Sequence, residues 1–259
     1  MLAKGRELML DALGDANAAA IVGLFGGILL GFAARLGRVC TLGAIEDVLY
    51  AQNDTRIRIW IAAIGFAVIG SFALLGLGLF DQSQSFYLNR EWSAVASIFG
   101  GLLFGYGMAL AGNCGYGALA RLGGGDLRSF VIVLVMGVSA YMTIGGPFAA
   151  IRADLFPASP ADDPSARGIA LDLSEVIGVP PLAIATLIAV GFITWAISNA
   201  EFRASKTAFI TGVFVALAVT SGWVGTSMIV EASFEDIRAT SHTFTAPVGE
   251  SIFYLMTSS

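Results

Sequence analysis

The chain has 259 residues, 56% of them hydrophobic and 13% charged, with a formal net charge of −5. A soluble domain carries roughly 25% charged residues. This chain has too little charge to cover a water-facing surface, which excludes a soluble globular protein.

In chain order, the charges bunch between long uncharged windows at 16–34, 59–80, 92–120, 129–151, 176–200 and 207–230. Each is long enough for the roughly 18–20 residues that cross a bilayer as a helix. Repeated windows of this kind exclude a single cleaved signal peptide, and the acids Glu7, Asp11 and Asp15 are foreign to a signal n-region. The expected fold class is all-α: a polytopic membrane helix bundle. If the crossings alternate and the 34–59 loop lies inside, the inside loops hold Arg35, Arg38, Arg56, Arg58, Arg121, Arg128, Arg203 and Lys206. These are more than half of the 14 basic residues, so the N-terminus is expected outside.

An internal repeat organises the first half, 16–151. Residues 25–44 read FGGILLGFAARLGRVCTLGA and residues 99–118 read FGGLLFGYGMALAGNCGYGA. They align without a gap as two parallel copies, setting Cys40 on Cys114 and the Gly27/Gly31 pair on Gly101/Gly105. The GxxxG pairs suit close helix packing. A thinner third copy, GVFVALAVTSGWVGT at 212–226, puts Gly225 at the cysteine position. On the charge-based topology it runs the opposite way, the pattern of an inverted repeat. The second half, 176–259, then reads as incomplete, lacking the last part of its repeat; a naturally shorter protein is the alternative.

Both cysteines sit in glycine-rich surroundings: Gly37 and Gly43 around Cys40, and Gly112, Gly115 and Gly117 around Cys114, with Asn113 alongside. Glycine costs about 1 kcal/mol in a helix interior relative to alanine, so helix breaks or short re-entrant helices are expected at both. Non-helical backbone at membrane depth is tolerated where protein buries it or where it lines a polar cavity. Two free thiols at matched breaks then line a constriction. A thiol is a weak, polarizable donor, suited to a large, soft sulfur-containing anion, and being neutral it lets that anion leave again. The helix N-termini near Gly43 and Gly115 offer backbone N–H groups to an anion. The candidate substrate-binding residues are Cys40, Cys114, Gly37, Thr41, Gly43, Gly112, Asn113 and Gly115. A disulfide framework is not expected from two cysteines at membrane depth.

Gly123-Gly124-Gly125-Asp126 lacks the ending of a phosphate loop and reads as a turn before the next helix. His242 is the only histidine; it stands in a loop with no ligand cluster, so no metal site is expected. The windows hold no Ser-His-Asp arrangement and no paired carboxylates, so no enzyme activity, catalytic residue or cofactor is expected. Partners are the lipid bilayer and the anion, with no nucleic acid.

The segments GRVCTLGAIEDVL and ALAGNCGYGALARLGGGDLRS resemble the N-terminal signature segments of the YeeE/YedE family of sulfur-transport membrane proteins. SHTFTAPVGESIFYL resembles that family's second half. The resemblance implies a thiosulfate permease-like protein of the bacterial inner membrane, hourglass-shaped, with short re-entrant helices meeting at mid-bilayer. It implies import of thiosulfate or a related compound to the cytoplasm, with Cys40 and Cys114 touching substrate in turn. Family members usually carry a further cysteine segment near the C-terminus, which this chain does not reach; some relatives are linked to selenium compounds instead. Two other readings stand beside the permease. One is a membrane accessory subunit docking a soluble cytoplasmic sulfur-carrier protein on its basic loops. The other is a membrane enzyme with Cys114 as a persulfide-forming nucleophile, which lacks a neighbouring base.

Overall fold

The computed structural model describes residues 14–85, 87, 93–157, 168–231 and 239–258. Glu7, Asp11 and the first residue of the third window, Trp92, lie outside the described residues. The described residues are all-α: α1 (Asp15–Gly37), α2 (Thr41–Tyr50), α3 (Thr55–Gly76), α4 (Ala94–Ala111), α5 (Gly115–Gly123), α6 (Leu127–Ile144), α7 (Ala149–Leu155), α8 (Ile169–Ile177), α9 (Pro181–Ile197), α10 (Ala200–Ala204), α11 (Lys206–Val230) and α12 (Thr245–Thr257). Five stretches among them are long and apolar enough to cross a membrane: Asp15–Tyr50, Thr55–Gly76, Ala94–Gly123, Leu127–Ile144 and Lys206–Val230. Large apolar side chains stand exposed along them, Leu24, Leu102 and Leu110 among others. Exposure on that scale is foreign to a water-soluble surface and normal against lipid tails. The chain is a multi-pass membrane protein.

The fifth window, 176–200, is realised more modestly. Gly178 turns left-handed at φ 73° and caps α8, and Pro180 and Pro181 open α9, which is left with 17 residues. Proline at the start of a helix loses an N–H that would have no intrahelical partner anyway. The Gly-Gly-Gly-Asp turn behaves as its composition dictates. Gly125 takes φ 90°, and Asp126 caps α6 by accepting from the Arg128 N–H at 3.0 Å and the Ser129 hydroxyl at 3.0 Å. Those two donors hold the Asp126 carboxyl below its ordinary pKa range.

The helices fall into two compact units. In the first, α1 and α11 run antiparallel along a seam of small residues. Ala18 packs with Ile229 and Val22, Gly225 faces Val22, and Gly37 faces Thr211. Phe32 and Phe214 meet at 6.3 Å between centroids. His242 stands in the loop before α12, as expected, and from there its imidazole wedges at mid-seam between Gly26 and Gly222. Its backbone is held down by Ser241, whose hydroxyl donates to Val219 O at 3.0 Å, and by Thr226, whose hydroxyl donates to Thr240 O at 2.8 Å. A Cβ on Gly26 would lie 1.8 Å from His242 Nε2. Gly26→Ala is therefore expected to destabilise the fold by about 1–3 kcal/mol through overpacking, read as a lower unfolding temperature of the purified protein in detergent; Gly27→Ala serves as the neutral control.

That control follows from a correction to the GxxxG reading. Positions Gly27, Gly31, Gly101 and Gly105 have nothing within 4 Å of where a Cβ would stand. The described residues therefore do not use these pairs for close helix packing; the tight position is Gly26, one residue earlier, against the His242 ring.

Elsewhere in the first unit, α3 crosses α11 with Gly212 against the Ile59 carbonyl and Ala62, and Phe66 meets Phe209 edge-on at 5.4 Å. Gly65 of α3 lies under Ile193 of α9. Arg58, expected in a loop, stands in the first turn of α3, only 9% exposed. Its guanidinium donates to Trp195 O, to Ala196 O at 3.3 Å and to Ser198 Oγ at 2.9 Å, and lies 4.3 Å over the Trp195 ring. Arg203 donates to the next carbonyls, Ile197 O and Ser198 O. Two arginines thus satisfy the C-terminal carbonyls of α9, where cations also suit the helix dipole.

The third repeat copy lies on α11, which runs unbroken through Gly222 and Gly225. Unlike the first two copies, it contains no break at the cysteine position.

In the second unit, α6 carries α5 on one side and α12 on another. Gly137 lies under Val248 and Ile252, Gly249 sits against the Gly137 carbonyl, and Tyr141 stacks on Phe253 at 4.6 Å.

Candidate functional site

The site is built in the second unit by the two broken repeat copies. Helix α4 ends where Gly112 turns to φ 69° and its N–H returns to Met108 O. The repeat-matched position of the first copy is Arg38, and it too is left-handed, at φ 49°. A left-handed residue after the last helical turn is a standard helix stop that glycine adopts freely. An L-residue there costs about 1–2 kcal/mol. Arg38→Gly is therefore expected to raise the unfolding free energy by about 1 kcal/mol and Gly112→Ala to lower it by a similar amount. Thermal unfolding of the two variants in detergent checks both signs.

After each stop the chain runs extended through the cysteine and begins a short helix. Cys40 (φ −153°, ψ 127°) is the N-cap of α2 and Cys114 (φ −86°, ψ 166°) the N-cap of α5. The sulfur of Cys114 accepts from the Gly117 N–H at 3.3 Å. The two sulfur atoms lie 3.8 Å apart, in weak hydrogen-bond contact; both thiols are free. Two helix N-termini thus converge on one pair of thiols, each offering backbone donors and the positive end of its dipole.

Gly117 explains how the thiols meet. A Cβ there would stand 3.2 Å from Cys40 Sγ and 3.5 Å from Cys114 Sγ. Asn113 is 4% exposed, and its Oδ1 is buried with no hydrogen-bond partner. A buried acceptor left unmade costs about 1–3 kcal/mol. Tyr116 and Phe244 close one flank at 5.2 Å between ring centroids. Gly115 approaches Met136, whose sulfur lies 3.9 Å from the Thr245 hydroxyl.

Of the expected site residues, Cys40, Thr41, Gly43, Gly112, Asn113, Cys114 and Gly115 all lie in these two breaks and the first turns that follow. Gly37 does not join them: it lies in the first unit, and its lack of a side chain is accounted for by Thr211 of α11, 2.3 Å from where a Cβ would be. Two residues were missed. Gly117 is the glycine the thiols need, and its match to Gly43 in the repeat was the signal for it. Arg56 lays its guanidinium over Gly43, one turn from Cys40, and pairs with Asp47 at 3.0 Å. It had been read as a loop charge.

The sequence profile of the sulphur transport family matches residues 36–259. The thiosulfate transporter TsuA of Spirochaeta thermophila is 28% identical over 214 residues, which cover 80% of this chain and 63% of that protein. The thiosulfate transporter TsuA of Escherichia coli is 33% identical over 121 residues, covering 46% of this chain and 33% of that protein. The chain spans less than two thirds of the length of either relative.

Proposed function

The chain belongs to the sulphur transport family, and from that membership we propose that it is a permease importing thiosulfate, or a closely related sulfur-containing anion, through the constriction that Cys40 and Cys114 form. The observation that carries the reading is the pair of contacting thiols at two converging helix N-termini. In the resting arrangement the thiols hydrogen-bond each other. An incoming anion parts them and takes over both S–H donors, while the Thr41, Gly43 and Gly115 backbones supply helix N-terminal N–H groups. Rotation of the Asn113 amide would turn its two N–H donors toward the anion. Each donor is neutral, so the site replaces part of the lost hydration without trapping the ion. Arg56, partly neutralised by Asp47, adds a tempered positive field near Gly43. Both TsuA relatives carry names that fit this substrate. In this reading the protein lies in the bacterial inner membrane with its N-terminus outside.

The rival reading as a docking subunit for a sulfur carrier needs a basic face. Burial of Arg58 and pairing of Arg56 take two charges out of that face. Radiolabelled thiosulfate uptake into liposomes holding the purified protein alone decides between them. Time-dependent accumulation above empty liposomes is expected; accumulation only after a soluble carrier is added would overturn the permease reading.

A further inference from the structure

Two free thiols in contact are more than a pair of hydrogen-bond donors. We propose that Cys40 and Cys114 form a redox latch, closed by sulfonate-capped disulfides of the polythionate class, with tetrathionate as the simplest member. The choice of oxidant rests on the sulfur-anion reading above; the latch itself rests on geometry.

The sulfurs stand 3.8 Å apart and a disulfide requires about 2.0 Å, so they must close by less than one sulfur diameter. Both cysteines sit on extended backbone at helix N-caps, outside any helical turn. Gly117 leaves the space around them free of a side chain. The two helix N-termini headed by these cysteines also favour the negative charge of a departing anion.

The chemistry balances. One cysteine sulfur attacks an inner sulfur of tetrathionate; the central S–S bond breaks, one thiosulfate leaves, and the cysteine carries an S-thiosulfonate group. The second cysteine sulfur then attacks the first. The bond to the carried group breaks, a second thiosulfate leaves, and the Cys40–Cys114 disulfide remains. Two thiols lose two electrons and two protons, and tetrathionate gains the two electrons as two thiosulfate ions. A disulfide joining the two breaks ties α2 to α5 and removes both S–H donors, so passage stops until a reductant reopens it.

The test uses the purified full chain in detergent, treated with tetrathionate and then with a maleimide, and read by intact mass. The expected result is complete loss of both alkylatable thiols, a protein mass lower by two hydrogens, release of two thiosulfate per chain, and full recovery with dithiothreitol. In C40A and C114A the reaction is expected to stop at the S-thiosulfonate adduct on the remaining cysteine. Thiols that stay alkylatable, a wild-type adduct that never closes, or a disulfide linking two chains would each overturn the latch. Closure by diamide but not by tetrathionate would overturn the polythionate assignment. The readout is on the thiols and not on uptake. A closing disulfide in a protein that fails to accumulate thiosulfate would therefore sink the permease reading and leave the latch standing.

Discussion

Cys40→Ala and Cys114→Ala are each expected to cut thiosulfate uptake at least about tenfold while leaving the protein in the membrane. Each change removes one of the two soft donors at the narrowest contact and leaves the other thiol without its 3.8 Å partner. Losing one well-placed donor is worth about 1.4 kcal/mol, which is a factor of ten. The packing loss is small, on the order of 1 kcal/mol for a single sulfur, so the fold survives. Serine in either position restores a donor of harder character and is expected to fall between alanine and wild type. The measurement is uptake of labelled thiosulfate in cells lacking other sulfate and thiosulfate importers, normalised to membrane protein by immunoblot. Wild-type uptake in both alanine variants would remove the cysteines from the pathway.

Arg58→Ala is expected to give the largest loss of stability among single substitutions in the first unit, about 3 kcal/mol. The guanidinium satisfies two carbonyls and a hydroxyl at the end of α9 and covers the Trp195 ring. Without it those carbonyls are left buried at an apolar helix end, each costing about 1–3 kcal/mol. Cation–π contact with a tryptophan adds about 1 kcal/mol. Arg58→Lys is expected to recover less than half, because one ammonium cannot bridge three acceptors and stack at the same time. Thermal unfolding in detergent, followed by tryptophan fluorescence, measures both. A melting point unchanged in Arg58→Ala would show that Arg203 alone closes α9.

The membrane class and the two cysteine segments were readable from the sequence because they rest on signals that context does not overturn. Long uncharged windows have one physical solution in a bilayer, and a gapless repeat carries its own control. The break at 112–114 was written in glycine. The matching stop at Arg38 was not, since arginine has no preference for φ 49°; only the alignment with Gly112 pointed to it. Arg58 was assigned to a loop because a hydropathy window pushes every charge to its edge, and windows carry no information about a carbonyl end 137 residues away that needs a donor. Gly37 looked like part of the cysteine motif by proximity in the chain, yet its glycine answers to Thr211. The window at 176–200 overestimated a helix because Gly178 and Pro180 punctuate it. Gly225 shows the limit of pattern matching: a glycine can replace the cysteine in an alignment without breaking the helix that carries it.

The sulfur that heads α5 is held by the Gly117 N–H of its own helix and touches the sulfur that heads α2. Neither short helix can slide along its axis without moving its leading sulfur against the other. The two segments therefore act as a single leaf: whatever widens the gap displaces one helix start from the other, and a probe attached to one half of the repeat will register an event at the other.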